Sequence, residues 1–169
     1  ETFDFLKEWA EEFGSEAQKK YFADEEYAKK ILCLLMGIGS KKRRKDFACA
    51  VQAVASMAYF FDETFAPCDE YRFDKETVKS VIRSFSETYD IADDCSAWFD
   101  KVKAVAEKNG FCVDMKAYKA NPENYKGSVS DVAEILRIAV TGHANTPDLW
   151  TIMQILGKER VLKRLAAQA

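Results

Sequence analysis

Apolar residues recur along this chain at steps of three and four, the period of a helix with one face turned to a core. The clearest stripe lies in 41–65. There Phe47, Val51, Val54, Ala58, Phe61 and Phe65 keep that step and predict one long helix, closed by Pro67. Upstream, Tyr27, Ile31, Leu34 and Leu35 form a shorter stripe that Gly37 and Gly39 end. Downstream, Asp74 is expected to cap a helix carrying Val78, Val81, Ile82, Phe85 and Tyr89. Asp93 or Asp94 is expected to cap the next, with Trp98, Val102 and Val105 inside and Gly110 just past its end. Residues 111–127 lack a clear period and read as an irregular connector with room for one short helical turn. Ser130 is the expected cap of a helix holding Val132, Ile135, Leu136 and Ala139, which Gly142 stops. Thr146 is the expected cap of the one after it, with Pro147 at its first position and Gly157 at its end. Val161, Leu162 and Leu165 mark a last helix.

Strand signals are weak, since no run alternates apolar and polar for more than a few residues and no Asn-Gly or Asp-Gly hairpin is present. The prediction is an all-α fold of seven or eight helices in two helical subdomains, 1–66 and 67–169. The stretch "APCDEYRFD" is the preferred boundary, with 111–127 competing for it.

Composition narrows the class. At 169 residues, 48% apolar and 31% charged, the chain is globular and long enough for a core. No apolar run approaches the roughly 18–20 residues that span a bilayer, so no membrane is expected as a partner. The start, "ETFDFLKEWAEEF", has no apolar signal-like region and no initiator Met, as expected of a processed protein or a piece of a longer one. Cys33, Cys49, Cys68, Cys95 and Cys112 form no C-x-x-C pair, and one histidine leaves no zinc ligand set. Free thiols in a reducing cytoplasm, with no metal, are the expectation. A net charge of −3 argues against bulk attraction to nucleic acid but leaves room for local basic patches. Two exist: Lys41, Lys42, Arg43, Arg44 and Lys45 in the first half, and Lys158, Arg160, Lys163 and Arg164 near the end.

Few residues suggest chemistry. "GIGSKKR" is not a phosphate-binding loop, which needs G-x-x-x-x-G-K-[ST] after a strand. It reads as a helix end, a Gly-rich turn and a basic first turn of the next helix. Basic residues there oppose the helix dipole, so either solvation or phosphate contact accounts for them. Adjacent carboxylates such as Glu11-Glu12 or Asp93-Asp94 diverge by about 100° on a helix and form no acid/base pair. "DIADDCSAWFD" lacks the central Gly of a calcium loop. His143, the sole imidazole, falls in a turn. No catalytic constellation assembles. What remains is a corner: Arg137 on one helix, the turn 143–146, and a helix start at Thr146 whose free N–H groups suit an anion or a base carbonyl.

At this corner a family resemblance becomes specific. "LRIAVTGHANTPDLWTIMQILGKERVLKRL" (136–165) resembles the C-terminal signature of bacterial glutamyl-tRNA synthetases, L-R-x-A-[LV]-T-G-x-x-x-[ST]-P-x-L followed by L-G-K-E-R-[VA]-L-x-R-L. "DMKAYKANPENYKGSVSDVAEILR" and "AYFFDE" (58–63) are similar to further parts of the family. The likeness covers about the last 110 residues well and the first 55 loosely.

The resemblance implies an anticodon-binding region of two helical subdomains, an α-helix cage, cut from a class I enzyme whose catalytic half precedes it. Glutaminyl enzymes read the anticodon with β-barrels, so an all-α chain favours the glutamyl type. No catalysis is then expected from this chain and no cofactor in it; the parent would use ATP and magnesium. The implied partner is the anticodon stem-loop of glutamate tRNA, with no DNA partner, in a cytoplasmic monomer. The implied contacts are Arg137, Thr146 and Leu149, with core packing competing for Leu149, and Arg43 or Arg44 for the first anticodon base. The alternative reading is a stand-alone helical protein-interaction module using aromatic helix faces.

Overall fold

The computed structural model describes residues 1–169 and contains ten α-helices and no strand. It divides into two compact units, Glu1–Ala66 and Pro67–Ala169.

In the first unit, α1 (Thr2–Phe13), α2 (Glu16–Lys20), α3 (Glu25–Met36) and α4 (Ala50–Ala55) are followed by a 3₁₀ turn, Ala58–Phe60. Asp24 caps α3 by accepting from Tyr27 N at 3.0 Å. Gly37 ends that helix at φ 65°, a conformation open to Gly. A Cβ there would also come within 2.8 Å of Arg44 N, so the chain folds back tightly at this point. Ile31, Leu35, Val54, Met57 and Phe60 fill the core.

The long helix expected over 41–65 does not form. Residues 41–49 are irregular, α4 has six residues, and Val51 of the expected stripe is exposed. The basic run is therefore a loop and not the first turn of a helix, as the opposed dipole and five adjacent like charges would favour. Beyond α4, side chains capture the carbonyls a helix would need. Tyr27 Oη donates to Phe60 O at 2.8 Å, and Thr64 Oγ1 donates to Ala58 O at 2.8 Å. Tyr21 stacks on Phe61 with ring centres 4.3 Å apart, which holds the irregular segment against the helices.

The second unit contains α5 (Lys75–Thr88), α6 (Cys95–Lys108), α7 (Met115–Ala120), a 3₁₀ turn Pro122–Asn124, α8 (Val129–Thr141), α9 (Leu149–Leu156) and α10 (Lys158–Gln168). The expected caps Asp74 and Asp94 accept from Thr77 N and Ala97 N, at 3.0 and 2.8 Å. Gly110 follows α6 at φ 82°. The connector 111–127 holds α7 and the 3₁₀ turn, more order than the single turn expected.

Two helix starts differ from the sequence reading. Ser128, not Ser130, opens α8, because Asp131 lies three residues on and completes a capping box with it. Ser128 N donates to Asp131 Oδ2 at 2.7 Å. Asp148, not Thr146, caps α9, accepting from Thr151 N at 2.9 Å and Thr151 Oγ1 at 2.7 Å. Pro147 thus precedes the cap. A carboxylate so placed outcompetes a hydroxyl two residues earlier, because it carries full charge at the positive end of the helix.

Helix α8 is the hub, packed on α5, α6, α9 and α10. Val132, Ile135, Leu136, Ala139 and Val140 are buried on it. The branched ones contribute about 1.5–3 kcal/mol each relative to exposure, so the helix carrying Arg137 is held firmly.

Candidate nucleic-acid interface

Arg137 sits one turn before the end of α8 and is half-buried. Its Nε is buried and has no hydrogen-bond partner. The reason lies on the same helix. Asp131 and Glu134, the acids nearest to it on α8, are both engaged by Arg72, at 2.6 and 2.8 Å. Only Glu134 lies within a turn of Arg137, and its carboxylate is taken by Arg72. A buried guanidinium nitrogen with nothing to donate to costs free energy, so the position is suited to a group that arrives from outside.

The turn beyond Arg137 is tied to it through Thr141. The Thr141 hydroxyl lies 2.7 Å from the Arg137 carbonyl and 3.2 Å from the His143 carbonyl. It also accepts from His143 N at 3.1 Å. Gly142, at φ 76°, lets the chain reverse there. The backbone carrying Arg137 and the backbone entering the corner therefore share one buried hydroxyl. Thr146, half-buried in the corner, donates to Pro147 O at 2.9 Å, which leaves its lone pairs to accept.

The far side of the corner is anchored twice. Trp150 Nε1 donates to Asp93 O at 3.1 Å and Gln154 Nε2 to Ile91 O at 2.9 Å, pinning α9 to the turn between α5 and α6. Leu149, the first residue of α9, is 2% exposed and packs in the core. The helix start expected at Thr146 lies instead at Asp148, whose carboxylate takes Thr151 N and disfavours an anion at that end.

Arg164 corrects the basic patch expected near the end of the chain. It is 4% exposed, and its Nη1 donates to Val140 O in the last turn of α8 at 2.7 Å. It is a structural clasp on the helix that carries Arg137, not a surface cation. The signal was present, because Arg164 stands three residues after Val161 and next to Leu165, on the apolar face of α10.

The basic loop belongs to the first unit. Arg44 N donates to Met36 O at 3.1 Å and its Nε donates to Asp46 Oδ2 at 2.6 Å. Ser40 Oγ bridges toward Gly37 O and Lys42 O at 2.8 and 2.7 Å. Arg43 is exposed and makes no ion pair. No cluster of three or more His, Cys, Asp or Glu side chains could hold a metal ion, and no helix is long and apolar enough to cross a membrane.

A helical unit that presents an arginine freed of acidic neighbours beside a rigid polar corner has the makings of a nucleic-acid-reading domain. Compared with known proteins, residues 15–169 match the model of the anticodon binding domain, and the chain belongs to that family. It is similar to the glutamate–tRNA ligase of Acetivibrio thermocellus, 41% identical over 168 residues, or 98% of this chain and 30% of the relative. The glutamate–tRNA ligase of Clostridium perfringens strain 13 is 38% identical over 97% of this chain and 31% of its own length. That of Sorangium cellulosum is 34% identical over 94% and 28%. The likeness therefore runs along nearly the whole chain, further than the sequence motifs alone suggest. This chain spans about 30% of the length of these relatives. No solved structure matches it.

Proposed function

We propose that this chain is the anticodon-reading part of a glutamate–tRNA ligase and that it binds the anticodon stem-loop of glutamate tRNA. The observation that carries the reading is Arg137, whose buried Nε has no partner while Arg72 holds Glu134, the acid one turn before it. Single-stranded anticodon bases can be splayed and read on their edges. Arg137 would donate to a base edge or stack on a base face, and the Thr146 hydroxyl would accept from a base amine. Leu149 would set the floor of the corner through packing, which fixes where Thr146 lies. Of the two arginines in the basic loop, Arg43 is the better reader of the first anticodon base, because Asp46 already holds Arg44. Lysines around it would contact the RNA backbone.

Attachment of glutamate to tRNA, with ATP and magnesium, belongs to the rest of such an enzyme. No residue of this chain is assigned a step in it. In this reading the protein works in the cytoplasm as a monomer.

Filter binding of glutamate tRNA, glutamine tRNA and an unrelated tRNA across a salt series tests the proposal. Specific base reading keeps glutamate tRNA bound near about 200 mM salt, where purely electrostatic binding of the unrelated tRNA has fallen away. Parallel salt curves for all three would contradict it.

A further inference from the structure

Helix α1 stands apart from the rest of the chain. The family match begins at residue 15, after α1 has ended, yet the Acetivibrio thermocellus relative aligns over 98% of the chain. The helix has one broad apolar arc, buried along one side and exposed along the other. Phe3, Leu6 and Ala10 are buried within the first unit. Phe5, Trp9 and Phe13 recur at every fourth position and form a second stripe. Phe13, at 64%, and Phe5, at 58%, are the most exposed large apolar side chains in the molecule. Trp9 and Phe13 lie against each other with ring centres 6.1 Å apart. Glu8 and Glu12 border the stripe on its outer side and form no ion pairs. A contiguous aromatic face rimmed by acids is the profile of an interaction surface.

We propose that this face docks on the rest of the parent protein, the part outside the anticodon-binding domain, in an apolar groove bordered by lysine or arginine. More than two thirds of the Acetivibrio thermocellus relative's length lies outside the match, so a large covalently attached body is the occupant at hand. A second copy fits less well. A stable dimer buries about 1,200–2,000 Å² in total, more than the outer face of a helix of 12 residues offers. A tethered partner needs less area, because linkage replaces the entropic cost of association with a high effective concentration. The unpaired glutamates select a basic rim and disfavour docking on acidic surfaces.

Hydroxyl-radical footprinting of the full-length parent protein, without tRNA, tests this independently of Arg137. Phe99, at 38% exposed, is the internal reference. In this chain the order of exposure is Phe13, Phe5, Phe99. Docking inverts it: Phe5 and Phe13 are labelled several-fold less than Phe99. A full-length Phe5→Glu/Phe13→Glu variant should raise Trp9 labelling several-fold, whereas Val51→Glu, at a comparably exposed site on α4, should not. Labelling that keeps the original order would overturn the proposal. Protection of Phe5 and Phe13 that vanishes on dilution would also overturn it, by assigning the face to a second copy. A gene product with no chain beyond these residues would do the same.

Discussion

The corner after α8 and the loop after α3 both carry arginines proposed to meet tRNA, but they are built in opposite ways. Around Arg137, bonds from distant residues hold the backbone. Arg72 holds the acids, Thr141 stitches the turn, Arg164 clasps the helix end, and Trp150 and Gln154 pin the next helix. Around Arg43, order comes from a few short-range bonds: Arg44 to Met36 and Asp46, and Ser40 to two carbonyls. The first arrangement fixes the backbone that carries Arg137 before a ligand arrives, which keeps the ordering cost of binding low. The second presents charge on a chain segment free to adapt. One suits a base met in a preset place; the other suits a base the loop closes on, with the neighbouring lysines following the phosphate backbone.

Variants that loosen the corner break this contrast most severely. Arg164→Ala leaves Val140 O without its donor and a gap in the core. It should destabilise the second unit by about 2–4 kcal/mol, seen as a lower midpoint in urea unfolding. Alkaline pH attacks the same unit by another route. Burial pushes the Tyr71 and Tyr89 hydroxyls up to about 12, with nearby acids adding to the effect. Unfolded tyrosine ionises near 10, so stability is full below that pH and is lost as pH rises toward about 12. Thermal unfolding between pH 9 and pH 12, on the order of the two tyrosine values, checks it.

Thr141→Val keeps the shape and removes the hydroxyl that joins Arg137 to the corner. It should cost about 0.5–1.5 kcal/mol of stability and weaken tRNA binding, while Thr141→Ser restores both. Equal affinity in the valine variant would show that the stitch does not position Arg137. The smallest effect is expected in the loop. Arg43→Ala should weaken tRNA binding less than Arg137→Ala does, relax discrimination at the first anticodon base and lower the salt slope by about one unit, and Arg44→Ala should do less of each, since Asp46 already neutralises it. Equal slopes for the two variants would erase the distinction drawn between them.

Much of the second unit was legible because its signals are local. Asp74 and Asp94 cap their helices, and Gly110 and Gly142 take the left-handed conformation their positions implied. The first unit was less legible because its decisive bonds are distant in sequence. The stripe from Phe47 to Phe65 has helical spacing, yet Tyr21 and Tyr27 capture its residues from more than thirty positions away. Period alone does not reveal such competition. At the candidate site the motif singled out Arg137, Thr146 and Leu149 as expected contacts, but not the surroundings of Arg137. Glu134, the acid one turn before it, is taken by Arg72 from 62 residues away. The α9 cap was misplaced by two residues because Thr-Pro resembles a helix start, while Asp148 binds Thr151 more strongly.

The central claim is that a preset, unpartnered Arg137 reads an anticodon base. Titrating wild type and Arg137→Ala with the glutamate tRNA anticodon stem-loop, alongside their urea unfolding curves, tests it most directly. Arg137→Ala is expected to lose about 1–3 kcal/mol in binding with the fold intact. Equal affinity for the stem-loop, in a variant that folds as well as wild type, would contradict it.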